Sequence, residues 1–160
     1  MTYERFEDLP VWKAAIELAE KIYAFTERPQ FKGKYSLRDQ IERATLSISN
    51  NIAEGFERGT TQELLTFLYI ARGSAGEVRS MLCFMERLPA FKDLKLEISN
   101  LRSLAEGISR QLRAWADSLQ NSEIKGQRYL TDKDRIMFQK KKKQEEFLKF
   151  LQEQVMDARK

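Results

Sequence analysis

Apolar residues recur at helical spacing in four successive stretches of this chain, and that period limits the fold more than any other feature. Val11, Ala15, Leu18, Ile22 and Phe25 form the first stripe. Leu37, Ile41, Ala44, Ile48, Ile52 and Gly55 form the second, and Leu64, Leu68, Ala71, Ala75, Val78, Leu82 and Met85 the third. The fourth holds Leu94, Ile98, Leu101, Leu104, Ala105, Ile108, Leu112, Trp115 and Leu119. Residues three and four apart stack on one side of an α-helix, so each stripe is one buried face.

The punctuation agrees with four helices. Asp8 is the expected N-cap of the first, with Pro10 in its first turn, and the segment ends before Pro29. "RPQFKGKY" is a connection, Ser36 caps the second helix, and that helix stops near Gly59. Thr60 and Glu63 have capping-box spacing and open the third, which "LPAFKD" breaks at Pro89. Four long amphipathic helices with short connections predict an all-α fold over residues 6–121. The economical arrangement is an antiparallel up-down-up-down four-helix bundle.

After Asn121 the pattern changes. "NSEIKGQRYL" reads as a linker with a turn at Gly126, and Thr131 with Asp134 opens a fifth helix. Phe147, Leu148, Phe150, Leu151 and Val155 give its second half an apolar stripe. Residues 122–160 are therefore expected to form a basic linker and a C-terminal helical extension.

Composition bounds the chemistry. The 160 residues, 42% hydrophobic with only 3 prolines, suit one helical domain and an appendage. There is no histidine. That removes the commonest general base, the commonest metal ligand and the Ser-His and Cys-His nucleophile systems together. The single cysteine, Cys83, has no histidine to activate it and is expected in or near the core. No apolar run reaches the roughly 18 residues of a membrane span. "MTYERFEDLPVWK" at the start has no signal-type apolar centre. These features predict a cytoplasmic protein that is not an enzyme, has no cofactor or metal, and does not enter a membrane.

The net charge of +4 sits in the tail. Residues 121–160 hold 11 Lys/Arg against 7 Asp/Glu, whereas residues 1–120 are balanced at 17 of each.

One stretch resists the simple amphipathic reading. "SNNIAEGFERG", Ser49 to Gly59, puts two asparagines and a glycine inside a helix. On a wheel of about 100° per residue, Gln40, Arg43, Ser47, Asn50, Asn51, Glu54 and Arg58 form a polar stripe beside the core stripe. Gly55 falls on the core face, where it would permit close helix approach. The third helix has a parallel anomaly opposite its core: Tyr69, Gly73, Gly76 and Ser80. Two helical glycines cost roughly 1.5–2 kcal/mol relative to alanine. The stripes can be solvated surface, a site around Glu54, or subunit contacts. A second ordered face on two successive helices favours contacts between chains.

"EDLPVWKAAIELAEKIY" and "YSLRDQIERATLSISNNIAEGFERGTTQELLTFLYIARGSAGEV" resemble the four-helix bundle family also called the 23S rRNA-intervening sequence proteins. The signature is Ser49 through Arg58, followed by Phe67 to Ser74, and the resemblance spans roughly residues 6–120. Relatives tend to carry a shorter aliphatic residue at Leu46 and often proline at Ser49. The resemblance implies a protomer that assembles into a cyclic pentamer with a central channel. It also implies kinship with accessory variability proteins of diversity-generating retroelements, which bind nucleic acid and a reverse transcriptase.

Two roles follow as expectations. The first is a non-enzymatic homo-oligomeric scaffold associated with RNA or DNA, through Arg38, Arg43, Arg58, Arg72 and Arg79 on the bundle and Lys140, Lys141, Lys142 and Lys143 on the tail. The lysine run can equally be a solvated helix face, because Lys141–Glu145 and Lys142–Glu146 are i, i+4 neighbours. The second is an adaptor that docks a partner protein through the C-terminal helix.

Overall fold

The computed structural model describes residues 3–121, 140 and 143–149. The chain divides into two compact units, Met1–Gly126 and Gln127–Lys160.

In the first unit, four helices enclose one core: α1 (Pro10–Thr26), α2 (Tyr35–Glu57), α3 (Thr61–Arg87) and α4 (Lys95–Gln120). Side-chain pairs fix their directions. Gln40 meets Glu77 and Ser47 meets Ser74, so α2 and α3 are antiparallel. Glu86 meets Arg102 and Tyr69 meets Gln120, so α3 and α4 are antiparallel. Arg28, just past α1, reaches Glu97 at the start of α4. The fold is all-α, an up-down-up-down bundle, with no strand among the described residues.

The four apolar stripes form the interior. All of the expected core positions of α1 and α3 are buried, as are Ile41 through Gly55 of α2. Leu37, Leu94, Leu104, Trp115 and Leu119 are only half-buried at the margins. Polar residues inside the core bond to their own helix. The Thr45 hydroxyl donates to the Ile41 carbonyl at 2.6 Å and the Ser49 hydroxyl to that of Leu46 at 3.1 Å.

Helix starts differ in part from the sequence reading. Thr60 does cap α3: its hydroxyl oxygen accepts from the Glu63 amide at 3.2 Å and donates to the Glu63 carboxylate at 2.8 Å. Asp8 instead lies in a short 3-10 turn, Phe6–Asp8, and α1 starts after Leu9 without a side-chain cap. Ser36 lies inside α2, whose N-cap position is Lys34, again without a side-chain bond. Chain geometry starts these helices: Pro10 presets the backbone of α1, and Gly33, at φ 76°, turns the chain into α2.

Both corner connections at one end are tight. Pro29–Phe31 and Pro89–Leu94 are 3-10 turns that send Phe31 and Phe91 inward. Their rings meet edge-on at 5.0 Å between centroids, and both pack against Phe25.

In the second unit, residues 143–149 are helical and exposed, including Phe147 at 59% and Leu148. Thr131, Asp134, Phe150, Leu151, Val155 and the Gly126 turn lie outside the described residues.

Candidate assembly and nucleic-acid surfaces

The polar stripe of α2 divides into two sets. One set faces α3 within the same chain. Gln40 donates to the Glu77 carboxylate at 3.2 Å, and the Ser47 and Ser74 hydroxyls share a 2.9 Å bond. The Asn51 amide donates to the Ser47 carbonyl at 2.6 Å and to its hydroxyl at 3.0 Å. Gly55 is buried so closely against α3 that a Cβ there would lie 2.6 Å from the Cβ of Phe67. Arg58 pairs with Glu54 at 2.7 Å and Glu63 at 3.5 Å, with its guanidinium 5.1 Å from the Phe67 ring centre. The other set, Asn50 and Arg43, points outward; Arg43 is 3.7 Å from Asp39 on its own helix. The two asparagines in tandem thus serve different surfaces.

Gly73 and Gly76 contrast with Gly55. Both are exposed on α3, and a Cβ at either would meet nothing within 4 Å. Packing within the protomer gives no reason for them. Tyr69 (45% exposed), Ile70 and Phe84 (53%) stand on the same helix with them, large apolar side chains left outside the core. The Tyr69 hydroxyl accepts a 2.6 Å bond from the Gln120 amide.

The bundle arginines are largely neutralised. Arg38 bonds to Glu27 at 2.6 Å and Glu42 at 2.8 Å, and the Glu42 and Glu27 carboxylates raise its pKa above the ordinary guanidinium value. Glu54, and to a lesser degree Glu63, does the same for Arg58. Arg79 approaches Glu106 at 3.8 Å, while its buried Nε has no hydrogen-bond partner. Arg72 is half-buried with no carboxylate partner among the described residues. Lys140 and Lys143 are exposed; Lys141 and Lys142 lie outside the described residues.

Cys83 is exposed on α3, contrary to the expected core position. It lies on the flank facing α4, where its sulfur is 3.7 Å from Arg102 Nη1. Helical period alone fails there because Leu82 and Met85 already occupy the core side of that turn.

No group of three or more His, Cys, Asp or Glu that could hold a metal exists among the described residues. Open depressions lie on the described surface. One of about 280 Å³ is lined by Thr61, Leu65, Tyr69 and Gln120, and one of about 510 Å³ by Asp39, Gln40, Arg43 and Glu77. No helix of the described residues is long and apolar enough to cross a membrane.

Sequence reading missed a second basic feature. "PQFK" and "PAFK", Pro29–Lys32 and Pro89–Lys92, are near-repeats that build the two aromatic corners. The shared Pro-x-Phe-Lys spacing was the available signal.

Fold and surface together define a histidine-free helical bundle with small and large apolar residues exposed on the outer side of α3. The chain belongs to the 23S rRNA-intervening sequence protein family, whose model matches residues 7–114. No curated protein matches the chain.

Proposed function

We propose that the protein is a non-enzymatic homo-oligomeric scaffold, a pentamer as the family resemblance implies, that associates with RNA or other nucleic acid in the cytoplasm. The observation that carries the assembly reading is the outer face of α3. Gly73 and Gly76 lower helix stability without any packing return inside the protomer, and Tyr69, Ile70 and Phe84 remain exposed around them. A neighbouring backbone approaching over the glycines would bury those side chains. Asn50, outward on α2, and Arg43, held there only by a long 3.7 Å contact with Asp39, are polar groups that could bond across such a contact.

The nucleic-acid reading is supported by the excess of lysine and arginine in residues 121–160 and by exposed Lys140 and Lys143. Assembly multiplies each weak patch, so binding would be strongly salt-dependent.

Size-exclusion chromatography of the full chain with labelled single-stranded RNA, at low and high salt, tests this reading. Co-elution at low salt that is lost at high salt supports the scaffold. RNA that never co-elutes removes the nucleic-acid role. A specific observation favours the adaptor as second reading: Phe147 and Leu148 are exposed side by side on the tail helix. A reverse transcriptase or other protein docking there would be displaced by Phe147→Asp/Leu148→Asp, which leaves RNA co-elution unchanged.

A further inference from the structure

The end of the bundle that carries the two corner turns holds several cations that no carboxylate neutralises among the described residues. Phe31 and Phe91 are packed ring against ring, and each is followed at once by an exposed lysine, Lys32 and Lys92. Lys95 opens α4 beside them and is also exposed. None of these three ammonium groups has an ion-pair or hydrogen-bond partner among the described residues. Lys34 has no carboxylate either; it donates to the Gln30 carbonyl at 3.0 Å and stands 6.0 Å from the Phe91 ring centre.

The remaining charges at this end are largely spent on each other. Arg28 pairs with Glu97, Arg38 with Glu27 and Glu42, and Arg102 with Glu86, while Asp93 has no cation partner among the described residues. The surface is therefore net basic, although the turns themselves also contain acids.

An exposed aromatic ring stands beside Lys32 at this end. Tyr35, in the first turn of α2, and Leu96, in the first turn of α4, are each 77% exposed, the most exposed large apolar side chains among the described residues. Tyr35 and Lys32 line one depression of about 240 Å³, together with Arg28, Pro29, Arg38 and the Glu27 carboxylate that Arg38 pairs with. Exposed cations around a free aromatic face fit a polynucleotide whose bases are unpaired, with phosphates on the ammonium groups and a base on the ring.

We infer that this end of the bundle, with Lys32, Lys92 and Lys95 holding phosphates and Tyr35 stacking a base, is a contact surface for single-stranded nucleic acid. It rests on the nucleic-acid role proposed above but places the contact on residues other than the arginines and the tail lysines.

Fluorescence anisotropy with labelled oligouridine, on the full-length chain across a salt series, tests the assignment. Lys32→Ala/Lys92→Ala/Lys95→Ala should weaken binding at least about tenfold at low salt and reduce the log–log salt slope by about 2. Tyr35→Ala should weaken it about tenfold, with recovery in Tyr35→Phe, while binding of a duplex of the same length is unchanged by either. All four side chains are exposed, so thermal melting of each variant should match the parent. Oligothymidine in parallel distinguishes DNA from RNA as the source of the strand. A triple-lysine variant that binds like the parent overturns this surface and leaves the nucleic-acid role standing, and a Lys140→Ala/Lys143→Ala variant would then carry the loss. A parent that binds neither oligonucleotide at any salt overturns both.

Discussion

Gly55 on α2 and Phe67 on α3 stand so close that a methyl group on the glycine would come within 2.6 Å of the phenylalanine Cβ. A Cβ is fixed to the backbone, so the methyl can be accommodated only by moving a helix. Leu64 closes the other side, with its Cδ1 at 3.3 Å and its carbonyl at 3.4 Å. Overpacking of this kind costs about 1–3 kcal/mol and outweighs the gain of about 1 kcal/mol in helix propensity. Gly55→Ala should therefore destabilise the bundle by up to about 2 kcal/mol, read as a lower urea midpoint.

The exposed glycines of α3 should behave in the opposite way. Alanine at Gly73 and Gly76 meets no atom of the protomer within 4 Å, and the helix gains about 0.5–1 kcal/mol per site. If these residues admit a neighbouring backbone, the double variant keeps its helical circular dichroism but shows a smaller mass at equal concentration. Equal mass would assign the glycines to solvent.

Phe91 is fully buried between Phe25 and Phe31 at the corner of the bundle. Phe91→Ala removes a core ring and should cost about 3–5 kcal/mol in denaturant unfolding. Phe91→Leu, which keeps most of the volume, should cost less than half as much.

With no histidine, little should titrate near neutrality. The Arg5 guanidinium, donating to Glu7 at 2.7 Å, holds the Glu7 carboxyl below its ordinary pKa. A depressed carboxyl stabilises the fold above its unfolded pKa and loses that contribution as pH falls through the folded value. The raised guanidinium values of Arg38 and Arg58 act only in strong alkali. The melting temperature should stay flat from about pH 5.5 to 7.5 and fall only in acid, below about pH 4. A step near pH 6.5 would contradict this.

The helices and their buried faces were legible because burial imposes a 3.6-residue period, and nearly every residue of the four stripes lies inside or at the margin. The cap at Thr60 was legible because side-chain chemistry makes it. The starts at Leu9 and Lys34 were not, since backbone geometry set by Pro10 and Gly33 replaces a polar cap there. A helical wheel put Ser47, Asn51 and Gly55 beside one another but could not say whether their neighbour was α3 or another chain. Phe31 and Phe91 lie in non-periodic turns, so their pairing, and the lysines it brings together, emerged only from tertiary structure.

Sedimentation velocity of the full-length chain alone, over a range of concentrations, tests the scaffold most directly. The pentamer that the family resemblance implies, assembled through the outer face of α3, predicts a mass near five times the 18.8 kDa protomer, falling on substitution of Gly73 and Gly76. A species that stays at 18.8 kDa at every concentration would contradict it and leave those glycines and Tyr69 as ordinary solvated surface.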